Sequence, residues 1–455
     1  MTSKRDAHRS NEPPRDPGVG LATLFAGMFG GFLGLCLLKF GDPPIMEQWV
    51  TAPKNAYQVI LGNPWPIAWA YWLLAGLTVL GLVCARWRLR APWWLAALPL
   101  VWLCWQFVSS THTVSLDLTK PTLAHFVATT LCFYLGLFAL SRSESPRPFL
   151  LGVLGGFVIM LAAGWSQHFG GLAETRRYFF AYLYPKMSHV PPELLKKMSS
   201  DRIFSTVFYP NAFAGALLLL LPSMLATVWG LKRWFTRGAR AFLVAVIADG
   251  SLACLYWSGS KGGWLLMLLM GLVVLLHLRF PKRLKVACVS LVLLAGLVGF
   301  FWKYASFFER GATSVGARFD YWHAAIETAL AHPVLGTGPG TFGPSYERIK
   351  RPESEPTRLA HNDYLEQASD SGMIGFLAYS LFVIQSLIWS YRRAVPGKSE
   401  PNWPIFCLWL GVAAWCLQSL FEFSLYIPAT AWAAFALLGW LLGGAPEARS
   451  NGLVE

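Results

Sequence analysis

A histidine with polar neighbours is the part of this 455-residue chain whose residue types could best do chemistry: LAHNDYLEQASDSG, residues 359–372. An unperturbed histidine changes charge near neutral pH, so His361 could take a proton from a hydroxyl group. Asp363 or another carboxylate could orient the imidazole ring, with Tyr364 as a further supporting side chain. Asn362 or Asp363 could equally be the N-cap of the following helix. Taken alone, the stretch favours that structural interpretation.

Three basic residues in other segments could bind an anion. They are Arg202 in DRIFSTVFYPNAFAGALLLLLP (201–222), Lys261 in YWSGSKGGWLL (256–266) and Arg318 in GARFDYW (316–322). The small residues around Lys261 would let backbone N–H groups and the ammonium approach one anion together. The structural alternatives are a snorkelling arginine, a plain exposed hairpin, and a surface pair of Arg318 with an acidic residue such as Asp320.

Two acidic residues lie within or beside apolar runs, where carboxylates are rare and usually paired or functional. Glu422, in LQSLFEFSLYIPA (417–429), could hold Arg202, Lys261 or His361. We therefore place Glu422 with His361 as a candidate catalytic residue. Asp249 lies inside another apolar run, and we expect it to form a buried pair or a hydrogen bond between helices.

Membrane spans must position these residues. Hydrophobic residues make up 55% of the chain, and apolar stretches of about 18 to 22 residues recur along it, each long enough to cross a bilayer. The sequence therefore predicts an all-α polytopic membrane protein with twelve spans. The expected spans are 21–40, 64–85, 92–110, 121–140, 148–167, 204–229, 241–258, 263–278, 286–303, 371–391, 404–421 and 427–444.

The charge of the connecting segments alternates and predicts the topology. Lysine and arginine cluster in one set of segments and are nearly absent from the other, so the positive-inside rule places both termini in the cytoplasm. The predicted units are a cytoplasmic tail (1–20), membrane spans 1–9 (21–303) with an outer loop (168–203), a large, partly helical outer loop between spans 9 and 10 (304–370), spans 10–12 (371–444) and a second cytoplasmic tail (445–455).

Composition argues against several other classes of protein and site. The net charge of +14 does not indicate nucleic-acid binding, because the basic residues lie in short clusters between apolar stretches. The eight cysteines lie in or at the ends of apolar stretches without CxxC spacing, so we expect neither a disulfide framework nor a zinc site. No small-residue cleavage site follows the first apolar stretch, which we expect to be a retained span. We expect no metal and no cofactor.

The large outer segment is too long for a simple connector and should carry structure of its own. Residues 313–332, TSVGARFDYWHAAIETALAH, predict a helix that ends at Pro333. GTGPGTFG (336–343) predicts a glycine-rich turn, and residues 344–358 are polar and basic. Gly372 is expected to break or cap the helix that returns to the membrane.

The predicted topology brings three cations, a histidine and a carboxylate to the outer side: Arg202, Lys261, Arg318, His361 and Glu422. Such a set indicates an anionic substrate at the outer membrane surface. A diphosphate is the natural candidate, because arginine and lysine would hold it with charge-assisted hydrogen bonds. The same cations would stabilise the negative charge on a departing diphosphate.

At these residues the sequence resembles the O-antigen ligase and O-antigen polymerase superfamily. The matching elements, within residues 200–430, are RxFSxxxxPNxxA (202–214), SGSKGG (258–263), RFDYW (318–322) with HPVLGTGPGTF (332–342), AHNDYLE…SG (360–372) and SLFEFSLYIP (419–428). The combination of HPxLGxGxxxF with a following HNxYL is the more specific part. The N-terminal third matches only in the spacing of its spans.

The resemblance implies a metal-independent glycosyltransferase of the bacterial inner membrane. Its active site would face the periplasm, and its donor would be a glycan on undecaprenyl diphosphate. Arg202 matches an arginine that binds the diphosphate in such enzymes, and His361 matches a loop histidine that activates the acceptor hydroxyl. Lys261 stands where the family more often has arginine, and lysine keeps the charge but loses the planar bidentate fork.

The acceptor remains open at this stage. Lipid A core would make the protein an O-antigen ligase, which we rank first. Another lipid-linked glycan would make it an O-antigen or exopolysaccharide polymerase, and a protein Ser or Thr would make it a protein O-oligosaccharyltransferase. A polysaccharide or lipid transporter, from a different class, predicts charges clustered at mid-membrane and related halves. The polar residues cluster at the outer side instead.

Overall fold

The computed structural model describes residues 17–62, 64–143, 145–186, 195, 199–309, 313–397 and 400–444. Within these residues every regular element is helical, and the described ranges contain no strand. The expected all-α class is confirmed. The predicted tails at 1–20 and 445–455 lie outside the described residues except for 17–20, as do 187–194 and 196–198 of the predicted loop at 168–203.

The α-helices are numbered here in chain order. They are α1 Pro17–Lys39, α2 Ala56–Leu61, α3 Ile67–Cys84, α4 Trp93–Ser110, α5 Leu116–Tyr134, α6 Arg147–Ser166, α7 Leu172–Tyr178, α8 Pro210–Trp229, α9 Arg237–Ser258, α10 Lys261–His277, α11 Lys282–Glu309, α12 Thr313–Ala331, α13 Phe342–Ile349, α14 Asp363–Ala394, α15 Trp403–Gln418 and α16 Pro428–Gly443. A π-helical turn, Leu135–Ala139, continues α5.

The apolar helices of the described chain are long enough for a multi-pass membrane protein. Nine of them meet the length and hydropathy expected of a membrane span. Three more, α10, α15 and α16, are apolar but only 16 or 17 residues long, slightly short of a hydrocarbon core of about 30 Å at 1.5 Å per residue. Each predicted span overlaps one of these helices, and the count of twelve spans stays a prediction.

Helices α8 and α16 form the centre of the bundle. Every side chain of α16 is buried, as is most of α8. Helix α16 packs on α1 and α5, whereas α8 packs on α9 and α15. Small residues allow such close approach: a Cβ added at Gly411 of α15 would lie 2.0 Å from the carbonyl oxygen of Leu219.

Several helix ends meet at one end of this bundle and form the framework of the site. The connection between α15 and α16 (419–427) contacts the starts of α8, α10 and α14. Asn211 donates to Glu422, the ring of Phe421 fills the space beside Gly262, and the backbone N–H of Asp363 donates to Ser419 at 2.8 Å.

The secondary structure expected of residues 304–370 is largely present among the described residues. Helix α12 occupies residues 313–331 and ends before Pro333, as predicted. The turn that follows has positive φ at Gly336, Gly338 and Gly340, a backbone conformation that favours glycine. Helix α13 in the polar stretch 344–358 was not predicted.

The helix that contains the tenth predicted span starts eight residues before that span. Helix α14 begins at Asp363 rather than at 371, because Asn362 caps it and the polar side chains of its first two turns find partners inside the protein. Gly372 lies within α14 with φ 68° and kinks it, so the predicted break is confirmed. A Cβ at Gly372 would lie 2.2 Å from the Val334 carbonyl oxygen.

The prediction for Asp249 is also wrong. Its side chain is exposed on α9 rather than buried, because it lies on the face of that helix that does not pack on α8. Among the described residues it has neither an ion pair nor a hydrogen bond.

Candidate active site

Glu422 is the point at which the predicted site residues meet. Its Oε1 accepts hydrogen bonds from Arg318 Nη2 and, at 2.6 Å, from Asn211 Nδ2. Its Oε2 lies 3.4 Å from Nδ1 of His361. Burial alone would raise the pKa of Glu422, but Arg318 and His361 outweigh it and hold that pKa below its ordinary value. The buried carboxylate therefore stays ionised.

Arg202 joins this cluster through Asn211. Its Nη2 donates to Asn211 Oδ1 at 2.6 Å, and its Nε donates to the carbonyl oxygen of Ser258 at 2.7 Å. Burial lowers the pKa of Arg202, and the nearby Arg318 lowers it further against the opposing effect of Glu422. A bound anion would compensate for the burial of this guanidinium charge.

Arg318 pairs with Glu422 rather than with its sequence neighbour Asp320. Its Nε also donates to the Phe421 carbonyl oxygen at 3.0 Å. Asp320 instead accepts from Ser354 at 2.8 Å. The pair is largely buried, with side-chain exposures of 18% and 8%, so the surface-pair alternative for Arg318 does not describe this contact.

Lys261 begins α10 beside the cluster, close enough to Arg202 and Arg318 to interact electrostatically. Ser260 caps the helix by accepting from Gly263 at 3.2 Å. The Lys261 ammonium lies 5.1 Å from the centre of the Tyr304 ring. The side chains of Arg202, Ala214 and Phe421 lie beside Gly259, Gly263 and Gly262 respectively, and an anion site at this turn stays a prediction.

His361 occupies a strained turn between aromatic rings. Its φ of 52° is uncommon for a residue with a Cβ. The imidazole stacks on Tyr321, with ring centres 5.6 Å apart, and meets the Phe423 ring edge-on at 4.8 Å. With Nδ1 towards Glu422, Nε2 is the ring atom left to face a substrate, and the side chain is 25% exposed.

The three predicted supporting residues have separate structural contacts. Asn362 Oδ1 accepts from the backbone N–H groups of Tyr364 and Leu365 and so caps α14. Asp363 Oδ2 accepts from the Leu425 N–H at 2.8 Å, and the ion pair described for the His361 ring is with Glu422 instead. Tyr364 donates to the Cys416 carbonyl oxygen at 3.1 Å. The carboxylate beside His361 is therefore Glu422 rather than Asp363.

Sequence reasoning missed three residues that shape this region. Asn211 bridges Arg202 and Glu422, although it stood inside the motif that contains Arg202. Glu366 accepts from the Ala360 N–H at 3.0 Å, and Asp370 accepts from the Gly340 N–H at 2.7 Å. The signal for the two carboxylates was their spacing from Asp363, which places all three near one face of a helix.

Comparison with known proteins supports the family resemblance. The family described as O-antigen ligase matches residues 248–380. The resemblance to the O-antigen ligase superfamily is confirmed. The matched residues include Lys261, Arg318 and His361, whereas Arg202 precedes the matched range and Glu422 follows it in the sequence. The family points to a glycosyltransferase-like enzyme, and the apolar helices indicate a multi-pass membrane protein.

One relative shares part of the sequence. A protein of Haemophilus influenzae (strain ATCC 51907 / DSM 11121 / KW20 / Rd), described as uncharacterized, is 26% identical over 159 residues, which cover 30% of this chain and 40% of the relative. The chain thus spans two fifths of the length of that relative. The O-antigen ligase match is the comparison that bears on function.

Proposed function

We propose that the protein transfers a glycan from undecaprenyl diphosphate to an acceptor hydroxyl at the periplasmic face of the bacterial inner membrane, with both termini in the cytoplasm. The observation that carries the proposal is the grouping of His361 with an ionised Glu422 beside three cations. A base next to cations suits attack on a carbon whose leaving group is a diphosphate.

Arg202, Arg318 and Lys261 hold the diphosphate in this mechanism. The acceptor oxygen attacks the anomeric carbon while its proton passes to Nε2 of His361. The bond between the anomeric carbon and the diphosphate oxygen breaks, and its electron pair leaves with the lipid diphosphate. Direct displacement inverts the anomeric centre. Glu422 beside Nδ1 stabilises the imidazolium that forms.

Lipid A core is the acceptor that we propose first, which makes the protein an O-antigen ligase. A second lipid-linked glycan would make it an O-antigen or exopolysaccharide polymerase, and a protein Ser or Thr would make it a protein O-oligosaccharyltransferase. The chemistry of His361 is the same in each case, because every acceptor presents a hydroxyl group. A transporter is disfavoured because the partnered charges meet at one end of the bundle.

Reconstitution of the purified protein tests the proposal. The protein in lipid nanodiscs is supplied with undecaprenyl-diphosphate glycan and, in separate reactions, with lipid A core, a second lipid-linked glycan or a Ser/Thr-containing protein. We expect glycan on lipid A core, release of the lipid diphosphate, and no product with His361→Ala. Glycan on another acceptor would replace the ligase assignment. Absence of transfer with all three, together with movement of the donor across proteoliposomes, would favour the transporter.

A further inference from the structure

Tyr304 carries a buried hydroxyl that the proposed mechanism does not use. The residue lies near the end of α11 at a break in the helix, with φ −107° and ψ 15°. It is only 7% exposed. Its hydroxyl has no hydrogen-bond partner among the residues that the structure describes. An unpaired buried polar group is destabilising, so such a group invites a functional explanation.

The surroundings of Tyr304 are cationic. The Lys261 ammonium lies 5.1 Å from the centre of its ring, and Arg202 and the Tyr304 hydroxyl are close enough to interact electrostatically. The ring itself is held by Phe300, at 5.0 Å between centres. The Lys303 ammonium also lies 5.9 Å from the centre of the Tyr304 ring, and it donates to the Tyr256 carbonyl oxygen at 2.5 Å.

We propose that Tyr304 is a fourth residue that binds the diphosphate, by donating its O–H to an anionic oxygen held by Arg202 and Lys261. This inference rests on the proposed function, because it assigns an anion to the same cluster. A phenol is a donor at neutral pH, and a hydrogen bond to a charged acceptor is stronger than one between neutral groups. The ligand class is a phosphoanhydride, either as the lipid-linked donor or as free pyrophosphate.

Tyr304→Phe isolates the hydroxyl because it keeps the ring that packs on Phe300 and Lys261. Tyr71→Phe is the matched control, since the Tyr71 hydroxyl is also buried without a partner among the described residues but lies on α3 beside Trp432. For each variant the measurements are KM and kcat for the lipid-linked donor, and the Kd for inorganic pyrophosphate by calorimetry.

Tyr304→Phe should raise KM and the pyrophosphate Kd by about tenfold, the factor that corresponds to about 1.4 kcal/mol. Its kcat should stay within about twofold, because the interaction is made equally in the ground and transition states. The control should change neither constant. A rise in KM alone would assign the hydroxyl to the lipid-linked donor rather than to free pyrophosphate.

Unchanged KM and Kd in Tyr304→Phe would overturn the inference. A melting temperature lowered by several degrees would also overturn it, because the hydroxyl would then serve the fold. If the wild-type protein binds pyrophosphate but transfers no glycan, the proposed function fails separately, and the Kd of the variant still decides the role of Tyr304.

Discussion

The buried carboxylate of Glu422 and the three buried carboxylates at the start of α14, those of Asp363, Glu366 and Asp370, have different partners. Glu422 contacts two potential cations, Arg318 and His361. The carboxylates on the first turns of α14 form no ion pair with lysine or arginine in the described part of the chain. They accept hydrogen bonds from backbone N–H groups instead: those of Leu425 to Asp363, Ala360 to Glu366 and Gly340 to Asp370.

This difference suggests a catalytic role for Glu422 and a structural role for the three carboxylates of α14. A carboxylate among cations stays charged and can polarise a histidine. A carboxylate that accepts backbone N–H bonds determines where a turn lies. Glu366 accepts a hydrogen bond from the backbone N–H of Ala360, the residue before His361. Asp370 accepts one from the backbone N–H of Gly340 in the glycine-rich turn. We therefore expect substitution of Glu422 or of the charged residues around it to reduce glycan transfer. Substitution of Asp363, Glu366 or Asp370 should mainly reduce stability.

The largest effect is expected for His361→Ala. Loss of a general base should lower kcat by about 10²- to 10⁴-fold, with donor binding and melting temperature retained. His323→Ala is the matched control, because that histidine is exposed on α12 near Glu327. Steady-state transfer by the purified variants measures the effect, and a wild-type rate for His361→Ala would refute the assignment of the base.

The second largest effect is expected for Arg202→Ala, which should weaken binding of the lipid-linked donor. Removing a buried guanidinium that we propose binds the diphosphate should raise the donor KM about tenfold or more, because a hydrogen bond to a charged group contributes about 1.5–3 kcal/mol. Arg279→Ala removes an exposed arginine paired with Glu400 and should leave KM unchanged. Equal donor affinity in the Arg202 variant and the wild type would count against the diphosphate site.

Asp370→Ala tests the structural role of the carboxylates at the start of α14. The Gly340 N–H would lose its acceptor, which should lower the free energy of unfolding by about 1–3 kcal/mol. The kcat of the folded fraction should be retained. Asp249→Ala, at an exposed site, should not change stability. If Asp370→Ala abolished kcat without altering the melting temperature, the division between the two groups would be wrong.

The smallest effect is expected for Lys261→Arg. Arginine restores the residue type that the family more often has here and keeps the positive charge. Transfer should stay within about threefold of wild type, since both cations bind phosphate. Lys261→Gln, which removes the charge, provides the contrast in the same assay. An inactive arginine variant would show that the lysine has a more specific task.

The fold was largely predictable because apolar length determines membrane helices. Each predicted span overlaps an observed helix, and α12 with its glycine-rich turn follows directly from Pro333 and its neighbouring glycines. The start of α14 was not predictable from hydropathy. Its polar first turns are buried by tertiary contacts with the glycine-rich turn and with Leu425, which local sequence does not reveal.

The candidate site was predictable as a set of residues but not as a set of contacts. Topology and motifs selected His361, Glu422 and the three cations. Which carboxylate faces the histidine depends on the connection between α15 and α16, so the sequence neighbour Asp363 was as plausible as Glu422. Asn211 was missed because its partner is Glu422, 211 residues away. Asp249 was misjudged because hydropathy does not tell which helix face is packed.

A double-mutant cycle on His361 and Glu422 tests the central claim most directly. The claim is that the two side chains act as one unit, with Glu422 Oε2 supporting the imidazole at 3.4 Å. The kcat of His361→Ala, Glu422→Gln and the double variant is compared with wild type. We predict that each single variant is strongly impaired and that Glu422→Gln costs almost nothing further once His361 is absent. Losses that multiply in the double variant would contradict the account.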